Sequence, residues 1–278
     1  MSGKEFYVDI VGKIGSMALI RREDMDIDYN IFARIGSELR PGMIWVSSGA
    51  TEIGRLDYIK RHGCEPEGDL EEIKSDYAAQ GQAILMENYR RFINPAYSVR
   101  QLLVEHTHFN DPIKREYIRK FLMRAAEQGA VPIVNYNDPV SFEENRRMEL
   151  SALRSRNSQV VECIDNDETA GIIALIVKAR QLVILTSVEG IYRDVNDPST
   201  LVETITGPDA DTVEERIRAL QRYCQGASRA GAGGAFAKLE YVLGPVRNST
   251  VVYIGHARHH ISDILEGRAA CTRIGIGL

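Results

Sequence analysis

Five short stretches carry residues suited to chemistry on anions. The first is Gly12-Lys13-Ile14-Gly15-Ser16, directly after an apolar run. Glycines at a strand-to-helix turn let backbone N–H groups approach an anion, and a lysine beside them adds a point charge. The second, Arg229 to Lys238, sets Gly231, Gly233 and Gly234 ahead of Lys238. The GxxxxGKS/T spacing of a Walker A loop is absent, but glycines leading to a lysine at a helix start would clamp the terminal phosphates of a nucleotide. Asp165-Asn166-Asp167 opens a helical pattern. Ser47-Ser48-Gly49-Ala50 makes a small-residue turn rich in hydroxyls and amides, and Asn135-Tyr136-Asn137-Asp138 ends an apolar run. Taken singly, each also has a plain structural explanation: a turn with an exposed lysine, a flexible glycine loop, an aspartate N-cap.

Such residues need a frame that brings them to one place. Apolar runs fit strands at Phe6 to Val11, Met43 to Val46, Leu102 to Val104, Val131 to Val134, Leu182 to Leu185 and Thr250 to Ile254. Unbroken runs rich in β-branched residues fit strands covered on both faces, as in a parallel sheet. Helical patterns fill the intervals: Ser75 to Asn94, Ile113 to Gln128 with Gly129 as its stop, Glu168 to Ala179 and Val213 to Tyr223. The alternation predicts a doubly wound α/β sandwich. Small and acidic residues cluster just after the strands, where the ligand crevice of an open α/β sheet lies. One composite site is the expectation, and no repeat or Pro/Ser-rich linker marks a domain boundary.

Composition narrows the function classes. Of 278 residues, 44% are hydrophobic and 26% charged, the balance of an ordinary globular chain. The net charge of −5 gives no global basic footprint for nucleic acid. Gly171 to Val177, the most apolar segment, is too short to span a bilayer. No secretory signal stands at the start. Cys64, Cys163, Cys224 and Cys271 are widely spaced without a CxxC pair, which fits reduced thiols in a cytoplasmic enzyme. His256, His259 and His260 with Cys271, and His106 with His108, are expected on loops rather than around a metal. Arg146-Arg147 and Arg154-Ser155-Arg156 fit a solvated helical face.

In their order and spacing the stretches resemble the amino acid kinase family, and within it the glutamate 5-kinase branch. Val46-Ser47-Ser48-Gly49-Ala50, followed by Gly54, is similar to the family's V-S-S-G-A motif, and Ala79-Gln80-Gly81-Gln82 to its A-x-G-Q helix. Val131 to Asp138 resembles V-P-I-x-N-E-N-D, and Asp165 to Asp167 resembles D-N-D. Ile184 to Tyr192 is similar to L-L-T-D-x-x-G-L-Y, and Gly231 to Lys238 to G-x-G-G-M-x-T-K. The likeness runs from about Val8 to Gly275.

The resemblance implies a three-layer αβα sandwich with a mainly parallel sheet. It implies one kinase domain over 1–278, with an acceptor-binding lobe to about residue 170 and a nucleotide-binding lobe over 171–278. It also implies phosphorylation of a small carboxylate by ATP with Mg²⁺, L-glutamate and proline biosynthesis first, in a homo-oligomer without nucleic-acid or membrane partners. Lys13, Lys238 and Asp167 would be catalytic, Asp167 orienting the lysines. Ser48, Gly49, Asp138, Asp165 and Asn166 would hold the acceptor. Gly15, Thr186, Ser187, Gly231, Gly233 and Gly234 would join the lysines at the nucleotide, whose phosphates carry the Mg²⁺. The C-terminal RNA-modification-type domain that many members of the glutamate 5-kinase branch carry is not expected here. Tyr136 stands where the family has glutamate and would change the substrate pocket; Ser187 replaces an aspartate on the nucleotide side; the stretch between Asp138 and Asp165 is long. These departures keep two alternatives open: another acceptor (a nucleoside monophosphate, a phosphonate or another acid), or a non-catalytic nucleotide- or oxyanion-binding protein.

Overall fold

Apolar residues that alternate between two core layers build the centre of the molecule. The computed structural model describes residues 6–141, 143–155, 160–162, 165–224 and 234–278. Eight of its strands form one sheet: β1 (Val8–Ile14), β4 (Met43–Ser47), β5 (Ser98–Val104), β6 (Ala130–Tyr136), β7 (Ala179–Thr186), β8 (Thr204–Gly207), β9 (Val251–His256) and β10 (Cys271–Ile276). Their spatial order is β5-β6-β4-β1-β7-β9-β10-β8. Neighbours run parallel except β9 and β10. A small hairpin, β2 (Ile20–Arg21) and β3 (Asp26–Ile27), stands apart from the sheet.

On one face lie α1 (Tyr29–Glu38), α2 (Ala50–His62), α3 (Leu70–Phe92) and α11 (Ile261–Leu265), packed on Ile10, Ile14, Trp45, Ile133, Val183 and Leu185. On the other lie α5 (Pro112–Glu127), α7 (Asn166–Ile176), α8 (Ala210–Gln221), α9 (Gly234–Tyr241) and α10 (Leu243–Arg247), against Val11, Val46, Val134, Leu182 and Ile184. Adjacent residues of each strand thus serve opposite layers, as the pleat requires. Short α4 (His106–Asn110) follows β5, and α6 (Glu143–Arg154) follows β6.

The expected αβα architecture is present, with three local corrections. β1 runs on to Ile14, so Gly12 and Lys13 are strand residues rather than turn residues. Lys13 pairs with Val46 on one side and Ile184 on the other, and Gly12 lies under Trp45, where a Cβ would stand 2.1 Å from the indole ring. His106 and His108 belong to α4 instead of a loop; the His108 Nδ1 accepts from the Glu105 N–H and closes a capping box. Lys238 sits well inside α9 rather than at its start.

Two glycines of the A-x-G-Q and V-S-S-G-A regions turn out to serve packing. A Cβ on Gly54 would lie 1.8 Å from the Tyr77 carbonyl oxygen, and one on Gly81 1.8 Å from that of Ala50. α2 and α3 therefore cross backbone to backbone, which brings α3 against the first turn of α2. No helix of the described residues is long and apolar enough to cross a membrane.

Candidate active site

The C-terminal ends of β1, β4, β6 and β7 meet in one layer of loop hydrogen bonds. Gly15 N donates to Leu185 O at 3.1 Å and Ser48 N to Ile14 O at 3.1 Å; farther out, Asn137 N donates to Val104 O and Ala257 N to Thr186 O. Lys13 leaves β1 on the face shared with Val11, and so points toward α7. There Asp167 receives it: Lys13 Nζ lies 2.6 Å from Asp167 Oδ1, and Lys238 Nζ lies 2.8 Å from Oδ2. Lys13 and Asp167 are each 5% exposed. Asp167 Oδ1 accepts no hydrogen bond of ordinary geometry, so its partner there is the Lys13 charge.

Helix contacts fix this triad. Asp165 caps α7, its Oδ1 accepting from the N–H groups of Asp167 (2.8 Å) and Glu168 (3.0 Å). One turn on, a Cβ at Gly171 would lie 2.6 Å from Tyr241 O, so α9 approaches α7 closely and Lys238 is carried to Asp167. Burial pushes the Asp167 carboxyl up, but the ammonium groups of Lys13 and then Lys238 outweigh it and hold the group down at about 2. Asp165 is pushed up, by burial first and then by the charge of Asp167. Two ammonium groups share one buried carboxylate, which leaves the triad with one excess positive charge.

A second group of polar side chains lies beyond β4 and β6. Asn135, at the end of β6, faces α3: its Nδ2 donates to Gln82 Oε1 at 2.7 Å. Its Oδ1 accepts from Tyr136 N at 2.8 Å and from Asn166 Nδ2 at 2.9 Å, while Asn166 Oδ1 accepts from Tyr136 N at 3.2 Å. Asn137 Nδ2 donates to Glu105 Oε1 at 2.6 Å, and Asp138 opens a 3-10 turn whose Pro139 carbonyl accepts from Ser75 Oγ on α3. Gly49 precedes α2 with φ +107°, a conformation that favours glycine, and as the N-cap it brings no side chain to the first N–H groups of that helix.

Tyr136 does not line this region as expected. Its ring is buried in the opposite core layer with Val104, Phe109 and Ala170, and its hydroxyl pairs with Ser141 Oγ at 2.7 Å. The period of the strand explains the difference: Asn135 and Tyr136 face opposite sides of the sheet. Arg154 of α6 is exposed and pairs with Glu162, in keeping with the solvated face expected there.

The third region, past β7 and β9, is more open. Thr186 Oγ1 accepts from Val188 N at 3.0 Å, and Ser187 is exposed. Glu189 is tied to Arg258 and, at 2.7 Å, to His259 Nε2. His256 Nδ1 accepts from Arg258 N at 3.0 Å, and burial lowers the affinity of this imidazole for a proton. Gly190 abuts β10, where a Cβ would stand 2.4 Å from Thr272 Oγ1. His256 ends β9 instead of standing on a loop, and no group of His, Cys, Asp and Glu among the described residues is arranged to hold a metal ion. Gly15 contributes room more than a donor: its N–H is committed to Leu185, and a Cβ there would stand 3.8 Å from Lys13 Nζ. Gly231 and Gly233 lie outside the described residues, as do Cys163, Arg156 and Arg229.

The structure therefore brings Lys13, Lys238, Asp165, Asn166 and Asp167 together, with Asn166 linked onward to Asn135 and Gln82. Gln82 enters the sequence reading only within the A-x-G-Q motif; a polar residue following Gly81 on a helix that otherwise reads as core is the signal for it.

Comparison with known proteins gives the same picture. Residues 10–256 match the amino acid kinase family. A glutamate 5-kinase of Halalkalibacterium halodurans is 29% identical over 276 residues, covering 96% of this chain and 67% of its own length. One of Listeria innocua is 30% identical over 244 residues, covering 83% of this chain and 77% of its own length. Among solved structures, a carbamate kinase of Giardia lamblia bound to AMP-PNP superposes with a TM-score of 0.59 at 14% identity, over 99% of this chain and all of that one. A protein of Aeropyrum pernix K1 does so at 0.57 and 14%, over 97% of this chain and all of its own.

Proposed function

The chain belongs to the amino acid kinase family, and from that premise we propose that it transfers the γ-phosphoryl group of ATP to the side-chain carboxylate of a small amino acid, L-glutamate first. The single observation that carries this reading is the Lys13–Asp167–Lys238 triad: two ammonium groups held by one buried carboxylate at the ends of β1 and α7. The glutamate 5-kinases among its relatives support the choice of acceptor and, with it, a place in proline biosynthesis.

In the proposed reaction a carboxylate oxygen of the acceptor bonds to the γ-phosphorus and the bond to the β–γ bridging oxygen breaks. ADP leaves with that electron pair, and an acyl phosphate is the product. A carboxylate is already a nucleophile, so no general base is required. Positioning and neutralisation of charge on the transferring oxygens carry the rate. Lys13 and Lys238 supply that charge, and Asp167 fixes both ammonium groups before the substrate arrives. Both Asp167 oxygens face lysines, which supports Mg²⁺ being held by the nucleotide's own phosphates, where it would neutralise β and γ charge. Ser48, the first N–H groups of α2, Asp138 and the 165–166 turn form the acceptor side, in a lobe to about residue 170. Thr186, Ser187 and the glycines ahead of Lys238 form the nucleotide side, in a lobe over 171–278. Asp138 and Asp165 suit an α-ammonium group, since a charge-assisted hydrogen bond contributes about 1.5–3 kcal/mol.

The test is ADP release in MgATP with a panel of acceptors: glutamate, N-acetylglutamate, aspartate, UMP and a phosphonate, with hydroxylamine present to trap any acyl phosphate. Glutamate should give acceptor-dependent ADP and a hydroxamate in equal amounts. Turnover with UMP or the phosphonate, and with no α-amino acid, would contradict the amino acid acceptor.

A further inference from the structure

Amide hydrogen bonds in the acceptor region run in one direction, and the direction is set by the main chain. The Tyr136 N–H can only donate, so the Asn135 atom it meets at 2.8 Å is the carbonyl oxygen Oδ1. The other end of Asn135 is then its NH₂, which makes the Gln82 atom at 2.7 Å an oxygen. Gln82 must therefore turn its own NH₂ away from Asn135. Reversing either amide would set two donors or two acceptors face to face in a buried site, and Asn135 is 1% and Gln82 8% exposed. The same N–H also meets Asn166 Oδ1, whose Nδ2 donates to Asn135, so both ends of Asn166 are engaged by β6.

What remains at the end of this chain is Gln82 Nε2. It is buried and has no hydrogen-bond partner. A buried donor without a partner costs free energy comparable to a lost hydrogen bond, and such groups persist where something else fills the need. Its place is informative. Gln82 follows Gly81, which touches the Ala50 carbonyl in the first turn of α2, and it is joined through Asn135 to Asn166, next to Asp167. It is thus linked both to the first turn of α2 and, through Asn135 and Asn166, to the lysine triad.

We propose that Gln82 is an acceptor-binding residue: its Nε2 donates a hydrogen bond to an anionic oxygen of the acceptor, oriented for that purpose by Asn135 and the Tyr136 N–H. The proposal rests on the acceptor region assigned above and adds to it a donor with fixed polarity. An acceptor that presents a carboxylate there satisfies Nε2, and one that presents a second donor does not.

Binding, which needs no turnover, tests it. L-glutamate, aspartate, N-acetylglutamate, UMP and a phosphonate would each be titrated calorimetrically into the full chain with a non-hydrolysable ATP analogue and Mg²⁺. The proteins compared would be wild type, Gln82→Leu and the isosteric Gln82→Glu, folding of each being checked by circular dichroism. Gln82→Leu should weaken binding of the preferred acceptor at least about tenfold, with the affinity for the nucleotide analogue within about twofold of wild type. Gln82→Glu should weaken it further at pH 8 and recover as the pH falls toward 5, because a protonated carboxyl regains an O–H donor. A purely structural role would not produce that pH-dependent recovery. Acceptor affinity within about threefold of wild type in both variants would overturn the role of Gln82 alone. Binding that follows the proposal without any phosphoryl transfer would overturn the kinase reading and leave Gln82 standing. Failure of wild type to bind any of these anions would overturn both.

Discussion

The two sides of this site, one proposed for the acceptor and the other for the nucleotide, are built on different principles. On the acceptor side, Gln82, Asn135, Asn166 and the Tyr136 N–H are linked by buried hydrogen bonds of 2.7 to 3.2 Å, with the polarity of each amide fixed by the next. On the proposed nucleotide side, Ser187 is exposed, Thr186 Oγ1 bonds within its own turn, and the nearby carboxylate of Glu189 is occupied by Arg258 and His259. A small acceptor must be distinguished by a few atoms, which rewards rigid donors and acceptors placed in advance. A nucleotide brings its own charge and extended shape, so a turn of small residues beside two lysines suffices. The Lys13–Asp167–Lys238 triad joins the two, with Lys13 and Asp167 buried.

That contrast yields graded expectations. The largest concerns the shared element. Asp167→Asn leaves two ammonium groups without their carboxylate; kcat should fall at least about a hundredfold, and denaturant unfolding should show a loss of about 3–5 kcal/mol, the cost of breaking a buried pair from one side. Next is the acceptor side: Asp138→Asn should raise the acceptor KM about tenfold in steady-state assays while the nucleotide KM stays put. Smaller still is the nucleotide side. Ser187→Asp adds a charge at an exposed turn and should shift nucleotide affinity by no more than about fivefold, read by calorimetry, with acceptor affinity unchanged. An effect of Ser187→Asp as large as that of Asp138→Asn would erase the distinction between the sides.

The subtlest expectation is in pH. Asp167 is held at about 2, below its ordinary value near 3.9, so its contribution to stability is complete above about pH 4 and is lost as pH falls through 2. Asp165, raised instead, acts in the opposite sense. The thermal midpoint of wild type should thus fall more steeply between pH 4 and 2 than that of Asp167→Asn.

The same contrast decides what the sequence could reveal. Lys13, Asp167 and Lys238 stand out as charges beside glycines and small residues, and their order along the chain carried the family resemblance; the αβα frame followed from unbroken runs such as Leu182 to Leu185. Elements without such runs are harder to read: α2 scatters its few apolar residues among charged ones, α1 has its buried Ile31, Phe32 and Ile35 within only ten residues, and β8 is four residues long. Tyr136 was misplaced because a one-residue step along a strand reverses its face, and a motif gives no face. Gly54 and Gly81 serve a helix crossing whose partners are distant in sequence. The polarity of the Gln82–Asn135–Asn166 chain was invisible for the same reason, since it depends on a backbone N–H thirty or more residues from two of its members.

The claim on which everything turns is that two lysines held by Asp167 act on the transferring phosphoryl group. Its most direct measurement is acceptor-dependent kcat for Lys13→Ala and Lys238→Ala, beside their unfolding curves. Each variant should lose at least about a hundredfold in kcat and remain folded; activity within about threefold of wild type in either one would contradict the account.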